Sequence, residues 1–227
     1  MYDAVFISYN EPDADERYKR LLERYPNTKR VHGVKGIHQA HIEAAKKCYT
    51  KMFWVIDGDA DLLPEFNLDH KVSEYDLDCV HVWRSRNPIN DLVYGYGGVK
   101  LLPRRLTMNV DVNSSDMTTS ISDRFKAMPD VSNVTCFNTD EFSTWKSAFR
   151  ECAKLSSKTI NRQEEGETNE RLKIWTTKAN GRFCEFAIRG ANAGMEFGLS
   201  DGVDLRLIND FDWLRQRFHM DEMNDTI

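Results

Sequence analysis

The sequence predicts an α/β protein in which a mostly parallel sheet is flanked by helices, with residues 1–227 forming a single domain. Three observations carry this expectation. Met52-Phe-Trp-Val-Ile56 is an unbroken apolar run, the pattern of a central strand covered on both faces. Upstream of it, short apolar runs alternate with longer segments of helical periodicity, which implies parallel strands joined by crossover helices. Directly after it come Asp57, Asp59 and Asp61, at the carboxyl end of the strand, where open α/β sheets bind their ligands.

Taken in order, Ala4-Val5-Phe6-Ile7 marks a first strand over Asp3–Tyr9, closed by Asn10-Glu11-Pro12. A helix over Asp13–Tyr25 follows, with Asp13 as its cap and Tyr18, Leu21, Leu22 and Tyr25 as its apolar stripe. Thr28–Val34 reads as a short strand and Gly36–Cys48 as a helix turning Ile37, Ala40, His41, Ala44, Ala45 and Cys48 inward. Beyond the acidic loop, Asp78–Arg84 alternates as a strand, Asn87-Pro88 signals a loop, and Tyr94-Gly95-Tyr96-Gly97-Gly98 is a glycine-rich turn before a strand at Val99–Leu102. Met108–Asp123 is polar and rich in Ser and Thr, a mobile loop of the kind that closes over substrates. Val131–Phe137 reads as an edge strand, and Asp140–Leu155 and Glu164–Lys178 as helices. Phe183–Ile188 runs into Gly190-Ala191-Asn192-Ala193-Gly194, read as a turn, and Asp210–Met223 is a last amphipathic helix.

At 41% hydrophobic and 30% charged residues the composition is that of an ordinary globular protein. No apolar run is long enough for a transmembrane helix, and Met1-Tyr2-Asp3 leads into a strand without a signal peptide, so a cytoplasmic protein with no membrane partner is expected. Five scattered cysteines without zinc-site spacing fit reduced thiols. His38 and His41 lie one helical turn apart but lack Cys or Glu partners, and His41 on an apolar face reads as a core residue. A net charge of −5 does not advertise a nucleic-acid binder, although basic residues cluster at Arg84–Arg86, Lys100–Arg105 and Lys146–Arg162. The first strand is followed by no Gly-x-Gly-x-x-Gly and the chain has no Gly-Lys-Ser/Thr, which removes a dinucleotide site and a P-loop.

Carboxylates as close as Asp57, Asp59 and Asp61 repel one another unless a cation sits between them, and their hard oxygens suit Mn²⁺ or Mg²⁺. Asp57 with Asp59, and Asp59 with Asp61, are competing pairs for that metal. The plain alternative is an acidic loop that caps the next segment.

An apolar strand ending in Asp57-Gly58-Asp59 after a strand–helix–strand–helix lead-in resembles the GT-A fold of nucleotide-sugar glycosyltransferases, over about the first 105 residues. The stretches Asn87–Pro103 and Phe137–Glu151 are similar to glycosyltransferases encoded by large tailed phages. The resemblance implies a metal-dependent hexosyl- or pentosyltransferase that moves a sugar from a nucleotide-diphosphate donor, such as a UDP-sugar, to a hydroxyl. Residues 1–105 would then be the nucleotide-sugar half and 106–227 the acceptor half. Mn²⁺ or Mg²⁺ would be held by Asp57 and Asp59, with Asp61 a further ligand or only a neighbour. Ser8, Tyr9 and Asn10 would lie at the nucleotide base, Gly58 and Gly97-Gly98 would let backbone approach the donor, and Lys100 or Arg104 would add positive charge at the diphosphate. Tyr94 and Tyr96 would stack on a sugar or base, or pack in the core. Asp140 and Glu141, opening a helix, resemble the catalytic base of inverting relatives, the alternative being that Asp140 is an N-cap and no more. His219 matches the place of a further metal ligand, or packs within an aromatic last helix.

The phage resemblance also implies an acceptor, the 5-hydroxymethyl group of modified cytosine in DNA, and with it the host cytoplasm. Such a base would have to be reached in the duplex or flipped from it. A glycan or small-molecule acceptor competes with it. A nucleotidyltransferase also uses paired Asp and a divalent ion, and a nucleotide- or sugar-binding module without turnover is the non-enzyme alternative.

Overall fold

Strand β3 (Met52–Asp57) holds the middle of a sheet because both of its faces are apolar. Met52, Trp54 and Ile56 pack with Phe6, Trp83 and Leu101 beneath helix α1 (Ala14–Arg24), through its Ala14 and Leu21. Phe53 and Val55 face the other way, with Val5, Val82 and Leu102, beneath α2 (Ile37–Lys46) and its Ala44 and Ala45. Each such fully buried Phe or Val contributes on the order of 1.5–3 kcal/mol relative to exposure. The structure is a computed structural model that describes residues 1–95, 97–114, 116–158 and 164–224.

The sheet has eight strands, with β1 (Asp3–Ser8), β2 (Lys29–His32), β4 (Ala60–Leu62), β5 (Val80–Arg86), β6 (Val93–Tyr94), β7 (Val99–Pro103) and β8 (Phe125–Thr135) around β3. Its order is β2-β1-β3-β7-β5-β8-β4, with β6 paired to β5. Strands β1, β2, β3, β5 and β8 run one way, and β4, β6 and β7 run against them. The sheet is therefore mixed, with most strands parallel. The antiparallel β7 sits between β3 and β5, so it returns the chain from the Asp57 end of β3 to the Met52 end.

Three local expectations are corrected. The strand read as an edge at Val131–Phe137 is the second half of β8, which begins at Phe125 and is paired on both sides. Pro129 hid its first half. The register against β5 shifts where Met128 gives way to Val131, and this bulge accommodates a residue that cannot donate to a ladder. The polar stretch Met108–Asp123 contains a short helix, Met117–Ser120, capped by Asp116 through Thr119 N at 2.9 Å and anchored by buried Met117 and Ile121. Asp13 makes no side-chain cap to α1; its carboxylate pairs with Arg17 at 3.4 Å instead.

The described residues gather into two compact units: Met1–Asn87 with Val93–Cys136, which contains the sheet, and Pro88–Leu92 with Phe137–Ile227, which is helical. In the second unit, beside α6 (Glu165–Thr177), helices α5 (Glu141–Ser156), α7 (Cys184–Leu199) and α8 (Phe211–Asn224) pack around Trp145, Phe149, Phe186, Leu214 and Phe218. The Gly190–Gly194 stretch is not a turn but the middle of α7. Gly190 and Gly194 lie one helical turn apart, and a Cβ on them would strike the Trp145 and Phe149 carbonyls of α5. Glycine there serves close helix contact rather than chain reversal, because only a helix without side chains can approach another backbone this closely. Among the described residues no helix is long and apolar enough to cross a membrane, and all five cysteines are free.

Candidate functional site

β1 and β3 are parallel neighbours with Ile7 opposite Asp57, so the chain leaving β1 lies beside the chain leaving β3. That register brings Ser8–Glu11 against Asp57–Asp59. Glu11 Oε2 accepts from Tyr9 N at 2.8 Å and lies over Gly58, where a Cβ would meet the same oxygen at 2.7 Å. The Gly58 carbonyl accepts from Nη1 of buried Arg17 at 3.3 Å.

The Asp57 carboxylate is engaged from below by Lys100. Nζ donates to Oδ2 at 2.7 Å and Oδ1 at 2.9 Å, and to the Gly97 carbonyl, while the lysine is 2% exposed. The antiparallel β3–β7 ladder sets this up, because it places Lys100 opposite Val55, two residues before Asp57. Asp57 N donates to the Gly98 carbonyl at 2.9 Å, so backbone and side chain together tie the end of β3 to the glycine turn. Gly97 takes φ +74°, a left-handed conformation that glycine adopts without strain. A Cβ on Gly98 would lie 2.9 Å from Asn133 Nδ2.

Asp59 follows Gly58 on the other side. Burial first, then the charges of Asp57 and Glu11, push its carboxyl up to about 6, against the pull of Lys100 and Arg17. Asp57, Asp59 and Glu11 thus act on one another alongside Lys100 and Arg17, and Arg17 is shared with Asp13. Carboxylate oxygens are hard donors of the type that Mn²⁺ and Mg²⁺ take. Among the described residues no group of three or more His, Cys, Asp and Glu is arranged to hold a metal. An ion at Asp57 and Asp59 would complete its shell with water and substrate oxygens, as Mg²⁺ does at phosphate sites.

The remaining residues singled out in the sequence divide sharply. Ser8 Oγ is hydrogen-bonded to His32 Nδ1 at 3.0 Å and accepts from Arg30 Nε at 3.0 Å, while Tyr9 and Asn10 are exposed beside it. Asp61 is on β4 and forms an ion pair with Arg20 of α1 at 2.7 Å, apart from the Asp57–Asp59 pair. Arg104 leaves β7 at the Met52 end, the wrong end to add charge at Asp57. Tyr94 is buried; Tyr96, like residues 159–162 of the last basic cluster, lies outside the described residues. His41 is a core residue, held neutral by burial and then by Lys100, which lower it to about 3.

Asp140, Glu141 and His219 belong to the second unit. Asp140 caps α5, accepting from Ser143 N at 2.7 Å and Ser143 Oγ at 2.8 Å. Burial raises its carboxyl, but these bonds and one from Thr139 outweigh it and leave a net lowering, the opposite of what a base requires. Glu141 is exposed in the first turn of α5. His219 is exposed on α8 beside the Phe218 ring.

Sequence reasoning missed Glu11 and Arg17. Both left a signal. Glu11 ends a strand that the alternation already made the parallel neighbour of β3. Arg17 falls on the buried face of α1, between Ala14 and Leu21 at helical spacing, where a lone arginine needs an acceptor.

No family model matches the chain, and no curated protein matches it. Among solved structures the chain is similar to the crystal structure of HddC from Yersinia pseudotuberculosis, at 13% identity and a TM-score of 0.37, over 58% of this chain and 90% of that one.

Proposed function

We propose that the protein is a transferase that acts on a nucleotide-diphosphate sugar, with the donor at the carboxyl ends of β1 and β3. The observation that carries this reading is the convergence of Asp57, Asp59 and Glu11 around Gly58 beside two parallel strand ends, with Lys100 and Arg17 among the counter-charges. Asp57 and Asp59 would hold Mn²⁺ or Mg²⁺. The ion supplies charge neutralisation of the departing diphosphate. Lys100 fixes the orientation of Asp57, Arg17 fixes the Gly58 backbone, and the Tyr9-Asn10 segment offers exposed polar surface to the nucleoside. Glycosyl transfer is the finer reading, supported by the strand-to-Asp57-Gly58-Asp59 pattern, and the acceptor proposed is a hydroxyl group. The 5-hydroxymethylcytosine of modified DNA is the acceptor that the sequence resemblance favours.

The test is turnover. The chain is incubated with a panel of UDP-, GDP- and ADP-sugars, with Mn²⁺ or EDTA, and with hydroxymethylated DNA, unmodified DNA or simple sugars as acceptors; nucleoside diphosphate release is measured. Metal-dependent release from one donor, lost in Asp59→Asn, is expected. Absence of release from every donor overturns the transferase reading.

A further inference from the structure

β3 is six residues long, and Lys51, just before it, lies about 20 Å of strand rise from Asp57 at its other end. Because Pro103 pairs with Met52, Arg104 and Arg105 emerge beside Lys51 at that far end. There the sheet opens into a cavity of about 510 Å³. Two tyrosines on its wall, Tyr49 and Tyr75, are 86% and 88% exposed. Aromatic rings left this open offer flat faces for stacking at small entropic cost. The Tyr49 backbone N donates to Asp3 Oδ2 at 2.6 Å, and Lys29 Nζ sits 4.8 Å from the centre of its ring. Arg104 is also positioned, donating Nε to the Ala45 carbonyl at 3.0 Å and its backbone N to the Lys51 carbonyl at 2.9 Å. Of the two carboxylates on the wall, Glu74 and Asp78, the second is paired with Arg124. Among the described residues, the wall therefore sets Lys51, Arg104 and Arg105 with the exposed Tyr49 and Tyr75 rings against Glu74 and the Arg124-paired Asp78.

We propose that this cavity binds a nucleoside phosphate, with the base against Tyr49 and Tyr75 and the phosphate on Lys51, Arg104 and Arg105. The ligand comes either as a free nucleotide or as a residue of a nucleic-acid strand. The site is separate from the donor site proposed above and does not depend on it.

Binding is measured on the full chain with AMP by calorimetry and with a 5′-fluorescein-labelled oligothymidylate by anisotropy, over a range of salt. Four proteins are compared: wild type, Tyr49→Ala/Tyr75→Ala, Arg105→Glu and Asp59→Asn. The tyrosines and Arg105 are exposed, so these changes leave the core intact. Wild type binds; the tyrosine pair weakens binding at least tenfold, the scale of one lost stacked base; Arg105→Glu weakens it and flattens the salt dependence; Asp59→Asn binds as wild type. A strand bound more tightly than AMP, with a steep salt slope, assigns the strand as the source, and equal affinity assigns the free nucleotide. Wild type that binds neither probe, or binding lost in Asp59→Asn and retained in the tyrosine and Arg105 variants, overturns the proposal.

Discussion

Removing the Asp57 carboxylate would strand a buried ammonium. Lys100 is 2% exposed, and its Nζ meets both Asp57 oxygens, at 2.7 and 2.9 Å, as well as the Gly97 carbonyl. Breaking a buried pair from one side costs about 3–5 kcal/mol. The Asp57 side chain is 31% exposed, so water reaching the vacated position reduces the cost of Asp57→Ala to about 2–3 kcal/mol. Lys100→Met keeps the stem packed and leaves Asp57 its access to solvent, for about 1–2 kcal/mol. If the pair is one interaction, Asp57→Ala/Lys100→Met costs no more than the larger single change, a coupling of about 1–2 kcal/mol. Urea unfolding of the four proteins in EDTA at pH 7, followed by circular dichroism, measures the cycle. Additive costs, or an Asp57→Ala change below about 0.5 kcal/mol, would refute a structural pair.

Asp59 titrates near 6 in the folded chain, above its ordinary 3.8, so its cost to stability is fully present above the folded value and disappears as the pH falls through it toward 4. Asp59→Asn should therefore be more stable than wild type by on the order of 2 kcal/mol at pH 8 in EDTA and equal to it near pH 4; a difference independent of pH contradicts the assignment. Asp140→Ala should cost about 1 kcal/mol at neutral pH. The Asp140 carboxyl is held below its ordinary range, so that stability is present above the ordinary value and lost as the pH falls through the folded one, where the two proteins converge. Gly190→Ala should destabilise by about 3 kcal/mol because its Cβ meets α5 backbone, while Gly166→Ala, with nothing within 4 Å, should stabilise by about 0.5–1 kcal/mol. Thermal unfolding of both settles it, and equal effects sink the packing argument.

The elements up to β3 were legible to within two residues at most ends because their periodicities are clean and their stops are Pro, Asn or Gly. The turn at Gly58 and Asp59 was legible for the same reason, but β4 (Ala60–Leu62), which carries Asp61, was not. Pairing was less legible. Nothing local in Val99–Pro103 says that β7 runs against β3, yet that direction decides that Lys100, and not Arg104, reaches Asp57. α7 was misread because its glycines serve contact with α5, a tertiary demand that overrides helix propensity. Glu11 and Arg17 needed two strand ends and a helix face considered together. Asp140 shows the reverse case, in which the plainer reading, an N-cap, is what its hydrogen bonds support.

The claim that matters most is that Asp57 and Asp59 mark the donor site. It is tested most directly by thermal unfolding with UDP, GDP and ADP, each with and without Mn²⁺, in wild type and Asp59→Asn. At a hundred times its dissociation constant, one diphosphate with Mn²⁺ should stabilise wild type by about 2.7 kcal/mol and leave Asp59→Asn unmoved. Stabilisation of both proteins alike, or of neither by any diphosphate, contradicts it.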